Sequence, residues 1–301
     1  MEGMYVNILI TGGTGFVGSN LTNTLIEKGY HVFIMTRTPE LYKSSSQVSY
    51  IDYEYATNKL PTIHAIINLA GDSLFGYWTK RKKETILTSR ENTTKKVIQM
   101  MEQMNKKPEV FITGSAIGYY GTSTDLIFTE NTTESGNDFL AHVVTEWEST
   151  AKKAESMGIR TVYARFGVIL GQEGALPLMS LPVKLFVGGK IGLGEQWISW
   201  IHIEDVVNLL TYCLTNKKLH GPVNLTAPHP KRNKDFLKTL TTIYKRPYWF
   251  PTPAPLMRII LGEMSELVTK GQFVLPEKAL NNDFSFSYPH LSGALKSIKS
   301  L

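Results

Sequence analysis

The sequence predicts a doubly wound α/β fold, a parallel sheet with helices on both faces, followed by a smaller C-terminal lobe. Three observations carry this expectation. Apolar, β-prone runs alternate with amphipathic stretches through the first 170 of 301 residues, which is the rhythm of βαβ units. The apolar runs contain few polar residues, as strands covered on both faces do. A glycine-rich turn, "TGGTGFVGSN" at 11–20, joins the first run to the first amphipathic stretch.

Taken in order, strands are predicted over residues 5–11, 31–37, 48–53, 64–70, 110–115 and 160–170. Helices are predicted over 15–28, 79–104 and 139–157. Past Gly171 the rhythm loosens into "PLMSLPVKLFVGGKIGLGEQW", where Gly and Pro interrupt any long element. Helical patterns return at 203–214 and 235–244, and prolines cluster again in "RPYWFPTPAPL" at 246–256. This punctuation divides the chain into a dinucleotide-type sheet domain over 1–170, lobe segments over 171–250 interleaved with the last sheet strands, and an appendage over 251–301. No internal repeat or low-complexity tract is present.

Composition narrows the class. An apolar fraction of 42% suits an ordinary buried core. The formal charge of +6 arises from short basic clusters such as Lys80 to Lys83 and Lys106-Lys107, diluted by acids and not interleaved with aromatics. That pattern points to solvated surface and away from nucleic acid, while a net positive field suits an anionic ligand. Cys213 is the only cysteine, so intramolecular disulfides and thiolate metal clusters are excluded, and no metal site is expected. No signal-like segment opens the sequence and no apolar run approaches the length of a membrane span. The expectation is a cytoplasmic protein with no membrane partner; a homo-oligomer stays open.

Gly12, Gly15 and Gly18 have the spacing G-x-x-G-x-x-G, the first closing a strand and the third inside a helix. A helix N-terminus offers unpaired N–H groups and partial positive charge, so a pyrophosphate can lie on the backbone where no Cβ intervenes. The alternative is a tight βα turn without a ligand. In NAD binders an acid at the end of the second strand takes the ribose hydroxyls, whereas an arginine there accommodates a 2′-phosphate. Here "HVFIMTRTP" ends in Thr36-Arg37 with no acid before Glu40. Arg37 can offer a fork of charge-assisted bonds, which favours NADP(H) over NAD; an exposed loop cation is the other reading.

With these residues in place the chain resembles the extended short-chain dehydrogenase/reductases, the NAD(P)-dependent epimerases and dehydratases built on the Rossmann fold. The resemblance rests on "TGGTGFVGSNL", "INLAG" (67–71), "FITGSAIGYYG" (111–121), "RFGVILG" (165–171) and "WIHIEDVV" (200–207). More closely, "WTKRKKETILTSRENTT" (78–94), "DFLAHVVTEWE" (138–148) and "LGEMSELVTKGQFVLPEKAL" (261–280) resemble an atypical branch of "epimerase family proteins" that carries a short C-terminal domain of unknown function. The resemblance implies that Gly12, Gly15, Phe16, Val17 and Gly18 line the pyrophosphate and that Thr36 and Arg37 hold the adenosine phosphate. It implies that Leu69, Ala70 and Gly71 meet the ribose beside the nicotinamide. Asp52 is assigned either to the adenine or to the surface, and Arg90 either to the cofactor or to a helix surface. Arg165 lies near the cofactor in the resembled fold and either touches ligand or pairs with an acid.

The resemblance also defines a gap. In the family a serine at the end of the fifth strand, here Ser115, binds the substrate oxygen while a tyrosine passes a proton, assisted by a lysine four residues later. A tyrosine with a pKa near 10 needs such help at neutral pH. By alignment those positions fall on Phe139 and Val143, which carry no proton. Ser115 and Tyr120 remain the candidates for the chemistry, although the resemblance implies that the tyrosine of the "YG" pair, Tyr120, lines the substrate pocket; Tyr119 stands beside it. His142 and Glu146, one turn apart, can pair on a helix face. His202 and Asp205 are expected to brace a helix start. Trp78, Trp147, Trp197 and Trp200 either roof a pocket or pack in the core. Two functions follow: an NADP-dependent oxidoreductase or epimerase-like enzyme for an unknown small carbonyl or sugar-derived substrate, or a protein that binds NADPH without turnover as a redox sensor or regulatory partner.

Overall fold

The computed structural model describes residues 6–300, so the predicted start of the first strand at Tyr5 lies outside the described residues. Seven strands form one sheet: β1 (Asn7–Thr11), β2 (His31–Met35), β3 (Val48–Ile51), β4 (Ile63–Asn68), β5 (Val110–Ala116), β6 (Arg160–Phe166) and β7 (Gly221–Leu225). Their order is β7-β6-β5-β4-β1-β2-β3 and every pairing is parallel. From β1 the chain winds outward through β2 and β3, then returns to β4 on the other side of β1. Ligands of such sheets bind at that reversal, outside the strands' carboxyl ends.

Helices cover both faces. The helices of eight residues or more are α1 (Phe16–Glu27), α2 (Lys80–Gln103), α3 (Phe139–Ala151), α4 (Ala175–Lys184), α5 (Ile203–Thr215), α6 (Asn233–Tyr244), α7 (Ala254–Leu261) and α8 (Leu291–Ser300), of which α1 and α5 pack on one face of the sheet and α2 and α3 on the other. Alternate residues of β1 point to opposite faces. Ile8 and Ile10 join Leu21 and Leu25 of α1 and Leu209 and Leu210 of α5 in one core. Leu9 joins Val97 and Met101 of α2 and Ala151 of α3 in the other. A third core, with Leu176, Trp200, Phe236 and Leu295, holds α4, α6 and α8 together as the smaller lobe. Cys213 is fully buried, and burial pushes its thiol up to about 12, so it is an inert packing residue.

Several predicted elements differ: the strand over 48–53 stops at Ile51, that over 64–70 stops at Asn68, and the helix over 139–157 tightens into a 3-10 segment after Ala151. The run 160–170 is broken at Gly167, where an added Cβ would lie 2.5 Å from Ser199 O. Beyond that close approach Val168–Leu170 leaves the sheet and pairs with Trp200–His202. The second strand stops at Met35 and not at residue 37, because a 3-10 turn over Pro39–Leu41 begins almost at once. Among the described residues no helix is long and apolar enough to cross a membrane.

Candidate functional site

At the end of β1 the chain turns through Gly12, whose φ of +69° favours glycine. An added Cβ there would sit 2.8 Å from Ala70 N, so the turn lies directly against the end of β4. At Gly18 a Cβ would come within 2.2 Å of Gly12 O. The chain's own packing therefore requires these two glycines. Gly15 is different. Its backbone (φ −87°, ψ 177°) suits any residue, and the nearest atom to an added Cβ is Gly12 O at 3.4 Å.

Gly15 is also where α1 begins, and that N-terminus has neither a side-chain cap nor an acid in its first turn. By contrast, Thr79 caps α2 by accepting from Lys82 N, and Asp138 caps α3 by accepting from Ala141 N, contacts worth about 1 kcal/mol each. Bare donors facing a space that a side chain would fill fit a pyrophosphate. Val17 packs on the core beneath the turn. The ring of Phe16 lies against the lobe, since a Cβ at Gly171 would be 2.4 Å from its Cζ. Phe16 thus has its backbone N–H, and not its ring, to offer a ligand there.

Thr36 and Arg37 follow β2. Thr36 N donates to Ile51 O (2.9 Å), which carries the end of β2 against β3. Arg37 is exposed and takes part in none of the ion pairs among the described residues. Asp52 is exposed and its Oδ1 accepts from Glu54 N at 3.0 Å, closing a local turn.

The end of β4 meets α2 through Arg90. A Cβ at Gly71 would lie 3.2 Å from both Cγ and Cζ of Arg90. The guanidinium donates from Nη1 to Ile86 O (2.9 Å) and its Cζ lies 5.2 Å from the centre of the Trp147 ring. Burial lowers its pKa to about 10, opposed by the charge of Asp72. Asp72 itself is bonded to Lys82 at 2.5 Å, which leaves Arg90 a half-buried cation without a bonded carboxylate. Beneath it lies a polar network that the sequence did not flag. Thr11 Oγ1 donates to Asn68 Oδ1 (2.6 Å), Asn68 Nδ2 donates to Thr94 Oγ1 (2.9 Å) and Trp147 Nε1 donates to the same oxygen (3.1 Å). Ala70 N in turn donates to Thr11 Oγ1 (3.3 Å). The available signal was Asn68, a polar residue inside the otherwise apolar "INLAG".

The two candidates for the chemistry are both committed elsewhere. Ser115 is 2% exposed, and its Oγ donates to Glu148 Oε1 at 2.5 Å. Arg165 holds the same carboxylate through Nε and Nη2, each at 2.8 Å, and its Cζ lies 3.5 Å from the centre of the Tyr119 ring. Burial opposes the charge on Arg165, yet Glu148 raises its pKa overall. Arg165 therefore pairs with an acid, and its Nη1 stays without a hydrogen-bond partner among the described residues. Tyr120 is corrected as a proton donor: it is 4% exposed, its hydroxyl donates to Asn224 Oδ1 (2.8 Å), and burial pushes its pKa up to about 12.

The face of α3 nearest the end of β5 is also revised. A Cβ at Gly118 would lie 3.3 Å from Leu140 Cβ and 3.9 Å from Val144 Cγ2. Leu140, Val144 and Glu148 are one stripe at i, i+4, i+8. Phe139 and Val143 pack with Trp78 and Ile86, in a cluster that Leu140 joins at its edge. On either face no tyrosine or lysine is present. His142 is exposed, and no hydrogen bond joins it to Glu146 among the described contacts. The four tryptophans do not form one roof. Trp200 is in the lobe core, Trp78 packs edge-on to Phe139, Trp147 lies under the sheet at Gly114, and Trp197 stacks beneath Arg232.

His202 and Asp205 brace a helix as expected. His202 Nδ1 accepts from Glu204 N at the start of α5, and Nε2 lies 3.2 Å from Ser297 Oγ on α8. Asp205 accepts from Ser287 N (2.7 Å) and Tyr288 N (2.9 Å), tying the tail to the same helix. Among the described residues no three His, Cys, Asp or Glu side chains gather as metal ligands.

A parallel sheet reversing at β1 and β4, with an open glycine turn at the reversal, defines an extended short-chain dehydrogenase/reductase fold of the dinucleotide-binding class. The chain belongs to the NAD dependent epimerase/dehydratase family, whose profile matches residues 8–225, and it carries the domain of unknown function DUF1731 over residues 252–298. The epimerase family protein YfhF of Bacillus subtilis is 46% identical over 296 residues, 97% of this chain and 98% of the relative. The epimerase family protein SA0724 of Staphylococcus aureus is 40% identical over 294 residues, 96% and 98% of the two chains. Among solved structures, human epimerase family protein SDR39U1 with NADPH matches with a TM-score of 0.88 at 30% identity, covering 98% of this chain and 99% of that one. UDP-glucuronic acid 4-epimerase of Bacillus cereus, in complex with UDP-glucuronic acid and NAD, matches with a TM-score of 0.78 at 18% identity, with 98% of each chain covered. That last likeness is one of fold.

Proposed function

We propose that this chain binds NADP(H) and acts as an oxidoreductase or epimerase-like protein on a small carbonyl or sugar-derived substrate, without a tyrosine–lysine pair. One observation carries the reading: the uncapped start of α1 faces open space at Gly15, and the exposed, unpaired Arg37 stands at the end of β2 with no acid beside it. The human SDR39U1 structure with NADPH supports it. When bound, the nicotinamide supplies or accepts the hydride.

The chain's own residues divide the remaining work. Backbone N–H groups of Phe16, Val17 and Gly18 hold the pyrophosphate over Gly12 and Gly15. Thr36 and Arg37 hold the 2′-phosphate. Leu69, Ala70 and Gly71 flank the ribose, and Arg90 adds a positive charge there. Ser115 and Arg165 support the floor of the site through Glu148, while Asp52 serves the rim. Leu140 and Val144 move no proton, so the proton comes from water or from the substrate itself. The lock of Ser115 on Glu148 favours a second reading, binding without turnover.

Arg37→Glu tests the cofactor. Loss of a charge-assisted clamp is worth about 1.5–3 kcal/mol, so NADPH affinity should fall at least tenfold while NADH affinity barely changes. Fluorescence titration with both cofactors reads this directly, and equal losses would remove the clamp. Incubation with NADPH and a panel of carbonyl compounds and sugar nucleotides, followed by reduced-nicotinamide absorbance, separates the two readings. Turnover of any member supports the enzyme, and tight binding with no turnover across the panel supports the binding protein.

A further inference from the structure

Between Glu173 and Glu195, and again between Asp235 and Glu263, the chain contains no acidic residue. The same two stretches contain Lys184, Lys190, Lys238, Lys245, Arg246 and Arg258. The whole excess of cations over anions, +6, is therefore held in them, and the rest of the chain is balanced. They also hold most of the large apolar side chains that reach solvent, including Leu185 (63% exposed), Trp249 (69%) and Ile259 (77%).

These side chains form one surface. Trp249 Nε1 donates to Phe186 O at 2.8 Å, and the Arg246 guanidinium lies 4.2 Å from the centre of the Phe186 ring. The backbone of Trp249 and Phe250 bonds to Gly188 O, and Thr252 N donates to Lys190 O. The loop after α4 is thereby laced to the segment before α7. None of the residues of α7 is buried, although six of its eight are Ala, Leu, Met or Ile. Phe186 has a φ of +64°, a backbone that a bulky residue adopts only where its surroundings hold it. The result is an exposed aromatic at the tip of α4, near a helix whose Leu256, Ile259 and Ile260 reach solvent.

An exposed apolar patch of this extent marks an interaction site. We propose that this face of the smaller lobe docks on an anionic lipid bilayer, with Phe186, Trp249, Phe250 and the apolar side of α7 entering the headgroup layer and the surrounding Lys and Arg meeting acidic headgroups. Aromatics beside aliphatics, with cations in excess and acids only at the edge (Asp235 beside Tyr248, Glu263 after α7), are the composition of an interfacial membrane surface. Charge favours this occupant over a second copy of the chain, since two such faces would set one surplus of cations against another. The absence of a spanning helix bears only on crossing a membrane; lying on one needs no such helix.

The test uses the full chain and sedimentation with phosphatidylcholine vesicles, with and without phosphatidylglycerol. Binding to the anionic vesicles is expected, weakening with added salt, and little binding to the neutral ones. Each surface cation contributes roughly fivefold, so Lys245→Glu with Arg246→Glu should weaken binding by more than tenfold. Trp249→Ser with Phe250→Ser should do the same, while Leu126→Ser, an exposed leucine outside the two stretches, should leave binding unchanged. Thermal unfolding of each variant checks that it folds; a variant that does not is replaced by Ile259→Ser with Arg258→Glu. No sedimentation at low salt, or wild-type binding by the folded variants, overturns the proposal. Retention on an acidic polypeptide without binding to vesicles also overturns it, in favour of a protein partner, as does concentration-dependent dimerisation abolished by Trp249→Ser.

Discussion

Gly15 and Gly18 look alike in sequence, yet they answer to different demands. A methyl group on Gly18 collides with Gly12 O at 2.2 Å, a backbone atom that cannot step aside. Gly18→Ala should therefore cost roughly 2–3 kcal/mol of stability, read by chemical denaturation. A methyl group on Gly15 makes only an ordinary contact with Gly12 O, at 3.4 Å, in an extended backbone. Gly15→Ala should change stability by less than about 1 kcal/mol, with lost chain entropy and a poorer cap offsetting each other. Its effect should fall on NADPH, with affinity dropping by at least tenfold as the Cβ enters the pyrophosphate space. Affinity within twofold of wild type would mean that nothing approaches this turn. The glycine spacing was legible in the sequence. Which glycine serves the fold and which serves a ligand was not, because that depends on Ala70 and Gly12 O as neighbours in space.

At the scale of elements, α3 shows where sequence reasoning stopped. The missing tyrosine and lysine were plain from the residues, but the face of the helix was not, since Leu140 and Phe139 are adjacent in sequence and only the approach of Leu140 to Gly118, in the turn after β5, tells them apart. Val143, 2% exposed, packs with Trp78 and Ile86. Val143→Lys should lose about 3 kcal/mol or more, as an unpaired buried cation does. Denaturation at wild-type stability would place that residue in an open site instead. The capping histidine of α5 gives a second prediction. Nδ1 accepts from Glu204 N, so the ring is neutral with its proton on Nε2, and protonation removes the acceptor. Burial lowers its pKa from 6.5 to about 4. The unfolded chain then takes up a proton below pH 6.5 that the folded chain refuses until about pH 4. Stability from this group is full above 6.5 and declines as pH falls through that window, by about 3 kcal/mol in all. The pH dependence of denaturant midpoints for the wild type and His202→Asn should diverge there, and parallel curves would show that His202 does not titrate in this way.

The whole molecule closes through its last fifty residues. The sheet was legible because six of its strands are apolar runs, several of them separated by amphipathic helices; β7 was not singled out, because "GPVNL" is a short run inside the lobe, recognisable as a strand only beside β6. The lock of Ser115, Glu148 and Arg165 was hidden for a related reason, its members coming from β5, α3 and β6. Asp205 is the long-range contact on which the tail depends. It is fully buried at the start of α5, and its two oxygens accept from Ser287 N and Tyr288 N. The segment they hold leads into α8, whose Leu291 and Leu295 complete the lobe core around Trp200. Asp205→Ala leaves two donors without partners, at about 1–3 kcal/mol each. Because α8 shares its core with α4 and α6, the tail cannot release without opening that core, so the loss should lower one cooperative transition and not split it. Asp205→Asn, which retains one acceptor oxygen, should lie between alanine and wild type. Tryptophan fluorescence, dominated by the buried rings, and hydrogen exchange of residues 287–298 should report the same lowered free energy. Exchange in the tail that collapses while fluorescence keeps the wild-type midpoint would show the C-terminal segment to be a separate unit that only rests on the lobe.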